Sequence, residues 1–200
     1  KQIIGLSEVS GSLVVYRNVE GVANEEVVEV ALSDGTKRTG RVVEIEGDKV
    51  VVQIFEGTLG ISKTNNKTKF LGHPMEMPLS KEVLGRIFNG SGKPIDGLGN
   101  VYAEKFGDIN GKPLNPVARQ YPKNFILTGI SAIDGLNTLI RGQKLPIFSG
   151  SGLPHDKLAV QIVKQAQLSD GDGDNFAIVF GAMGVKNDVA DFFKRSFEET

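Results

Sequence analysis

Hydrophobic positions change rhythm as the chain proceeds. From residue 1 to 72 they come in short, β-branched clusters separated by glycine-bearing turns. The cluster at 27–32 runs into Ser33, Asp34, Gly35 and Thr36, a hairpin signal. Residues 41–46 alternate in part, which places Val43 and Ile45 on one face. Glu46, Gly47 and Asp48 form the next turn, and 50–55 follows as a largely apolar strand. Short strands recurring every about 8–12 residues predict a small closed antiparallel β-barrel, or a sandwich, over 1–72.

Between 73 and 127 periodicity gives way to punctuation. Six of the eight prolines fall here, at Pro74, Pro78, Pro94, Pro113, Pro116 and Pro122. Such a stretch predicts connections and hairpins, with one short helix that starts at Ser80 as N-cap and ends before Gly85. From 128 onward helical spacing returns. Residues 131–138 predict a short helix and 144–148 a short strand. Leu158, Ala159, Ile162, Val163 and Ala166 mark an amphipathic helix over 155–168. The apolar run 176–180 has the composition of a buried parallel strand. Val189, Phe192, Phe193 and Phe197 mark a last helix, its aromatics destined for a core or an interface. Strand, glycine-rich turn, helix, strand, helix is the opening of a parallel α/β sheet with a right-handed crossover. Two strands do not complete such a sheet. The expected architecture is therefore mixed: a barrel over 1–72, then over 73–200 a connecting segment and an incomplete, truncated parallel α/β nucleotide-type domain.

The chemistry concentrates where the strand at 144–148 meets the following helix. The intervening residues are Ser149, Gly150, Ser151, Gly152, Leu153, Pro154, His155 and Asp156. A phosphate loop of pattern GxxxxGK(S/T) occupies that position. It needs glycines for close backbone approach, successive N–H groups around the phosphates, a lysine for the terminal charges and a hydroxyl for Mg²⁺. Aligned on the strand end and helix start, Ser149 stands at the first glycine, Pro154 at the second, His155 at the lysine and Asp156 at the Ser/Thr. Pro154 has no N–H to give. An imidazole is mostly uncharged at neutral pH, so His155 lacks a fixed positive charge. Asp156 brings a carboxylate to a place meant for polyphosphate. As a helix start the segment is good, since proline suits the first turn and Asp156 meets the positive end of the helix dipole. On pattern alone a plain Gly/Ser turn before a helix explains the segment equally.

Several segments then carry a resemblance. Residues 53–61 (QIFEGTLGI), 84–97 (LGRIFNGSGKPIDG), 114–122 (LNPVARQYP) and above all 128–155 (TGISAIDGLNTLIRGQKLPIFSGSGLPH) resemble the B subunit of V/A-type rotary ATPases, over essentially the whole chain. In that family the phosphate loop is intact only in the catalytic A subunit, and related rotary and ring ATPases keep Lys-Thr or Lys-Ser where this chain has His155 and Asp156. The resemblance implies a non-catalytic subunit alternating with A in a hexameric A₃B₃ head. Its other partners are then a central rotor shaft and peripheral stalk subunits. It implies no intrinsic cofactor, with ATP or ADP at subunit interfaces, and a cytoplasmic location peripheral to a membrane through the assembled complex. The arginine that B lends to the catalytic site belongs to the carboxyl-terminal part of the family and has no counterpart in this chain. The alternatives are a module that binds ADP or ATP weakly through residues 150–152, and an oligonucleotide-binding barrel.

Composition trims these readings. Lys+Arg 23 against Asp+Glu 24 leaves a net charge of −1. The barrel segment has Lys1, Arg17, Lys37, Arg38, Arg41, Lys49, Lys63, Lys67 and Lys69 against ten acidic residues, with only Tyr16, Phe55 and Phe70 as aromatics. A single-strand binder needs a basic groove and stacking platforms, so nucleic acid is not expected. The absence of cysteine excludes disulfides and thiolate metal sites, and fits a reducing compartment. With only His73 and His155, a histidine zinc site is not expected. No run of about 18 apolar residues is present, so no membrane span is expected, and the start of the chain lacks the apolar run of a signal peptide.

Three motif-like stretches read as turns or as nothing. Asn89 to Pro94 imitates a phosphate loop but has Ile87 at the first glycine and Pro94 at the Ser/Thr. Asp170, Asp172 and Asp174 alternate as in a calcium loop, yet Asn175 and Gly181 replace the required Gly and Glu. Asn66 and Asn89 open glycosylation sequons that have no meaning without secretion.

Overall fold

The computed structural model describes residues 1–168 and 176–199. These divide into two compact units, 1–113 and 114–200. Unit 1 is built on a seven-stranded antiparallel sheet: β1 (Gln2–Ile4), β2 (Glu8–Ser10), β3 (Leu13–Tyr16), β4 (Val27–Ala31), β5 (Lys37–Glu46), β6 (Lys49–Ile54) and β7 (Lys67–Phe70). Their order is β1-β7-β4-β5-β6-β3-β2. The two edge strands, β1 and β2, are consecutive stretches of the chain, and the sheet curls back on itself without pairing between them. The break between them falls at Gly5, whose φ of 78° is left-handed and suits glycine. Across the break Leu6 N donates to Lys63 O (2.9 Å) and Ser7 N to Val15 O (2.8 Å), which ties the seam to both edges.

Alternation along these strands sends one face inward. Val14, Tyr16, Val28, Val30, Val42, Val50, Val52, Ile54 and Phe70 fill the barrel with almost no exposed surface. Tyr16 and Phe70 meet edge to face, ring centroids 5.8 Å apart. The Tyr16 hydroxyl, 2.8 Å from Thr68 Oγ1, keeps its buried polar end satisfied. Burial pushes the Tyr16 phenol up to about 12, against a smaller opposing effect of the Thr68 hydrogen bond.

One alternation departs from expectation. Val43 and Ile45 do not share a face with equal burial, because the β5–β6 register slips between Val42 and Glu44. The extra residue of this bulge reverses the phase. Val42 is buried before it, Val43 is left exposed, and Ile45 returns to the core. A second constraint is a close strand approach at Gly40. A Cβ there would lie 2.4 Å from Gln53 O and 2.9 Å from Ile54 Cδ1, so no larger side chain fits.

Beyond the barrel, β8 (Glu76–Pro78) pairs with β9 (Phe106–Asp108). Ser80 caps a single 3₁₀ turn, Lys81–Val83, by accepting from Glu82 N (3.2 Å), and Gly85 follows with φ 72°. The predicted short helix is therefore present in tighter form.

Unit 2 holds β10 (Phe125–Leu127), α1 (Ser131–Leu136), β11 (Leu139–Ile140), α2 (His155–Gln165), β12 (Gln167–Leu168) and α3 (Asn187–Glu198). The three helices stand where helical spacing predicts them, although α2 stops at Gln165 and its last predicted residues pair as β12. The two predicted parallel strands are not formed. Residues 144–148 and 176–180 have no strand partner among the described residues, and Phe148 and Val179 are more than nine-tenths exposed. The strands that do pair, in the order β11-β10-β12, are antiparallel. A parallel strand needs a neighbouring strand to pair with and cover on both faces, and the described residues supply no such partner. Phe180 instead lies against α3, its ring centroid 4.5 Å from Phe193 and 5.3 Å from Phe197. Phe193 is thereby buried, as its place on the aromatic stripe predicts.

Candidate functional site

The loop from Ser149 to Pro154 is exposed and leads directly into α2, whose first two residues are His155 and the half-buried Asp156. Its shape comes from local hydrogen bonds. Leu153 N donates weakly to Gly150 O (3.4 Å), and His155 N donates to Leu153 O (2.9 Å). Gly152 adopts φ 84°, and a Cβ there would meet nothing, so the glycine serves backbone conformation rather than close packing. Pro154 occupies the N-cap position (φ −82°, ψ 51°) rather than the predicted first turn, and offers no side-chain cap. The first helical bond runs from Leu158 N to Pro154 O (3.1 Å). The N–H groups of Asp156 and Lys157 find no acceptor among the described residues, as is usual at a helix start.

The loop closes on itself. Ser149 Oγ and His155 Nδ1, first and seventh of the phosphate-loop pattern, lie 2.9 Å apart, and one donates to the other according to the imidazole tautomer. His155 Nε2 lies 3.6 Å from Asp156 Oδ1. The structure therefore brings together three predicted site residues, Ser149, His155 and Asp156. It leaves Gly150, Ser151, Gly152 and Leu153 as open turn. A helix N-terminus attracts anions. Here Asp156 already sets a carboxylate in the first turn of α2, while the imidazole is occupied.

Two carboxylates that sequence reasoning missed shape the segments that carry the family resemblance. Asp134, in α1, accepts from Thr128 N (2.9 Å), Thr128 Oγ1 (2.8 Å) and Gly129 N (3.0 Å). These donors, Thr128 N foremost, hold its carboxyl below the ordinary range. In unit 1, Arg86 Nε and Nη2 reach Asp96 Oδ2 and Oδ1 at 2.5 and 3.0 Å in a bidentate pair. Leu98 N and Ile87 N also donate to Asp96. The Arg86 bonds lead in pulling the Asp96 carboxyl far below its usual value. Only the spacing of an arginine and an aspartate ten residues apart across a glycine turn could have hinted at this clamp.

Both shifts have one sign. A depressed carboxyl stabilises the fold fully above the unfolded-state value of about 4. The contribution is lost as pH falls through the lower folded-state value. Urea midpoints measured from neutral pH downward should hold until about pH 4 and then fall, and Asp96→Asn should flatten that fall while lowering stability at neutral pH.

The remaining motif-like stretches are accounted for structurally. Residues 89–94 form a turn, with an isolated bridge between Phe88 and Pro94. Asn66 is buried and donates through Nδ2 to Ser62 O, so its sequon is closed. The residues of the calcium-like stretch from 169 to 175 lie outside the described residues. Among the described residues no group of three or more His, Asp or Glu could hold a metal, and no helix is long and apolar enough to cross a membrane. Tyr16 and Phe70 are inside the barrel, which leaves only Phe55 as an aromatic on its outside. That is no stacking platform for bases.

Comparison with known proteins places this architecture. Residues 6–72 match the ATP synthase alpha/beta family, beta-barrel domain, and residues 129–200 match the nucleotide-binding domain of the same family. The chain belongs to the ATP synthase alpha/beta family. Within it, the chain corresponds to the amino-terminal part of the V/A-type ATPase B subunit. All 200 residues align at 56% identity with the V-type ATP synthase beta chain 2 of Clostridium tetani, covering 44% of that protein. They align at 54% identity with the V-type ATP synthase beta chain of Halothermothrix orenii, covering 43% of it. The chain thus spans less than half the length of these relatives.

Proposed function

We propose that the protein is a non-catalytic, structural and regulatory B subunit of the A₃B₃ head of a V/A-type ion-translocating rotary ATPase. It alternates with a catalytic A subunit around a central shaft, and meets peripheral stalk subunits. It works on the cytoplasmic side of a membrane that it reaches only through the assembled complex. The observation that carries this reading is the loop at 149–156, which has the position of an ATP cradle but His155 and Asp156 where a cation and a hydroxyl would grip Mg·ATP. His155 lies within hydrogen-bond distance of Ser149, and Asp156 brings a negative charge to the start of α2. ATP and ADP then belong to subunit interfaces, with this loop a weak contributor at most.

The test is reconstitution. The full-length protein alone should show no ATP turnover, and mixing it with a partner that has an intact phosphate loop should produce turnover well above that of the partner alone. Turnover by the isolated protein, abolished by His155→Ala, would overturn the reading. So would a mixture no more active than the partner by itself.

A further inference from the structure

The chain contains two Asn-Gly steps, Asn89-Gly90 and Asn110-Gly111, both on exposed turns. Such steps undergo an intramolecular acyl transfer. The backbone nitrogen of the glycine attacks the asparagine Cγ, and a new N–Cγ bond forms. The Cγ–Nδ2 bond breaks, ammonia leaves with the proton given up by the glycine nitrogen, and a succinimide remains. Water then opens either carbonyl, giving aspartate or an isoaspartyl link. Glycine permits the attack because it has no Cβ to obstruct the ring.

The fold treats the two steps differently. Asn89 Oδ1 accepts from Ser91 N (3.0 Å) and Lys93 N (2.9 Å). These two donors point at the oxygen on which negative charge develops in the tetrahedral intermediate, the arrangement of an oxyanion hole. The attacking nitrogen of Gly90 is uncommitted, since its N–H meets no acceptor among the described residues. At the second step the reverse holds. Gly111 N is engaged, donating to Asp108 O (3.0 Å). Asn110 Nδ2 donates to Asp108 Oδ1 (3.0 Å), which also takes Asn110 N (2.8 Å). That carboxylate holds the leaving group and sets a negative charge beside the one that must form.

We propose that Asn89 is a spontaneous deamidation site of the folded protein, activated by the turn that presents it, and that Asn110 is protected by Asp108. The product matters to unit 1. Aspartate at 89 keeps an acceptor for Ser91 N and Lys93 N, but an isoaspartyl link adds a methylene to the main chain within the turn bridged by Phe88 and Pro94. Lys93, whose Nζ bonds Thr39 Oγ1 of the barrel at 3.1 Å, sits on the same turn.

The test is peptide mapping with isoaspartate detection on the full-length protein, aged folded in mildly alkaline buffer. A single oxyanion-hole donor is worth about 10²–10³ in an enzyme, so even much diluted by solvent two donors should make Asn89 convert at least about tenfold faster than Asn110. In denaturant the two rates should converge. Gly90→Ala provides a folded control: a Cβ there meets nothing within 4 Å and the backbone is not left-handed, so the turn survives while conversion at Asn89 falls to the level of Asn110 or below. Equal rates in the folded protein, or faster conversion at Asn110, would overturn the proposal. A ratio that persists unchanged in denaturant would do the same, because it would belong to the local sequence and not to the turn.

Discussion

Replacing three of the four deviant loop residues together, by Pro154→Gly, His155→Lys and Asp156→Thr, is expected to raise the affinity of the full-length protein for Mg·ATP at least about tenfold. A hydrogen bond to a charged group contributes about 1.5–3 kcal/mol, and the lysine alone adds one such bond to the phosphates. The glycine restores an N–H that proline lacks, and removing the Asp156 carboxylate takes a negative charge from the first turn of α2. The change also breaks the Ser149–His155 contact that closes the loop at 2.9 Å. Calorimetric titration of parent and variant reads the difference. An unchanged affinity would mean that the loop's position, and not only its residues, is unsuited to nucleotide.

The second large effect lies in the barrel. Gly40→Val should destabilise unit 1 by about 3 kcal/mol, at the upper end of what overpacking a core strand costs. The cause is local: the first added carbon would sit 2.4 Å from the backbone oxygen of Gln53, which cannot rotate away as a side chain can. Urea unfolding should show a lower midpoint with an unchanged slope. A variant as stable as the parent would show that β5 and β6 can separate at Gly40 without loss of pairing.

These two sites differ in how far the sequence reveals them. The loop is put forward by residue types alone, because glycine, proline and histidine at fixed offsets between two apolar segments have chemical consequences independent of packing. The barrel strands were legible too, since alternation and β-branching record which face is buried. Gly40 was not, as nothing in its neighbours announces that the paired strands β5 and β6 approach so closely there. Val43 was misplaced for a related reason. A bulge inserts one residue and reverses the phase of every later position, and the pattern alone does not show where the slip falls. Residues 144–148 and 176–180 have the composition of parallel strands but remain unpaired in the described structure, because composition cannot supply the neighbouring strands that pairing requires. Asp96 and Asp134 were missed because each works through backbone donors brought near by folding, and no residue-type pattern records those.

In the function proposed above, the loop before α2 has the place of an ATP cradle without the means to hold a triphosphate. Crystals of the full-length protein soaked in Mg·ATP put this to the test. No ordered triphosphate is expected within hydrogen-bonding reach of residues 149–156, with Ser149 and His155 still in contact. A well-occupied triphosphate wrapped by Gly150, Ser151 and Gly152, with His155 turned onto its terminal phosphate, would contradict it.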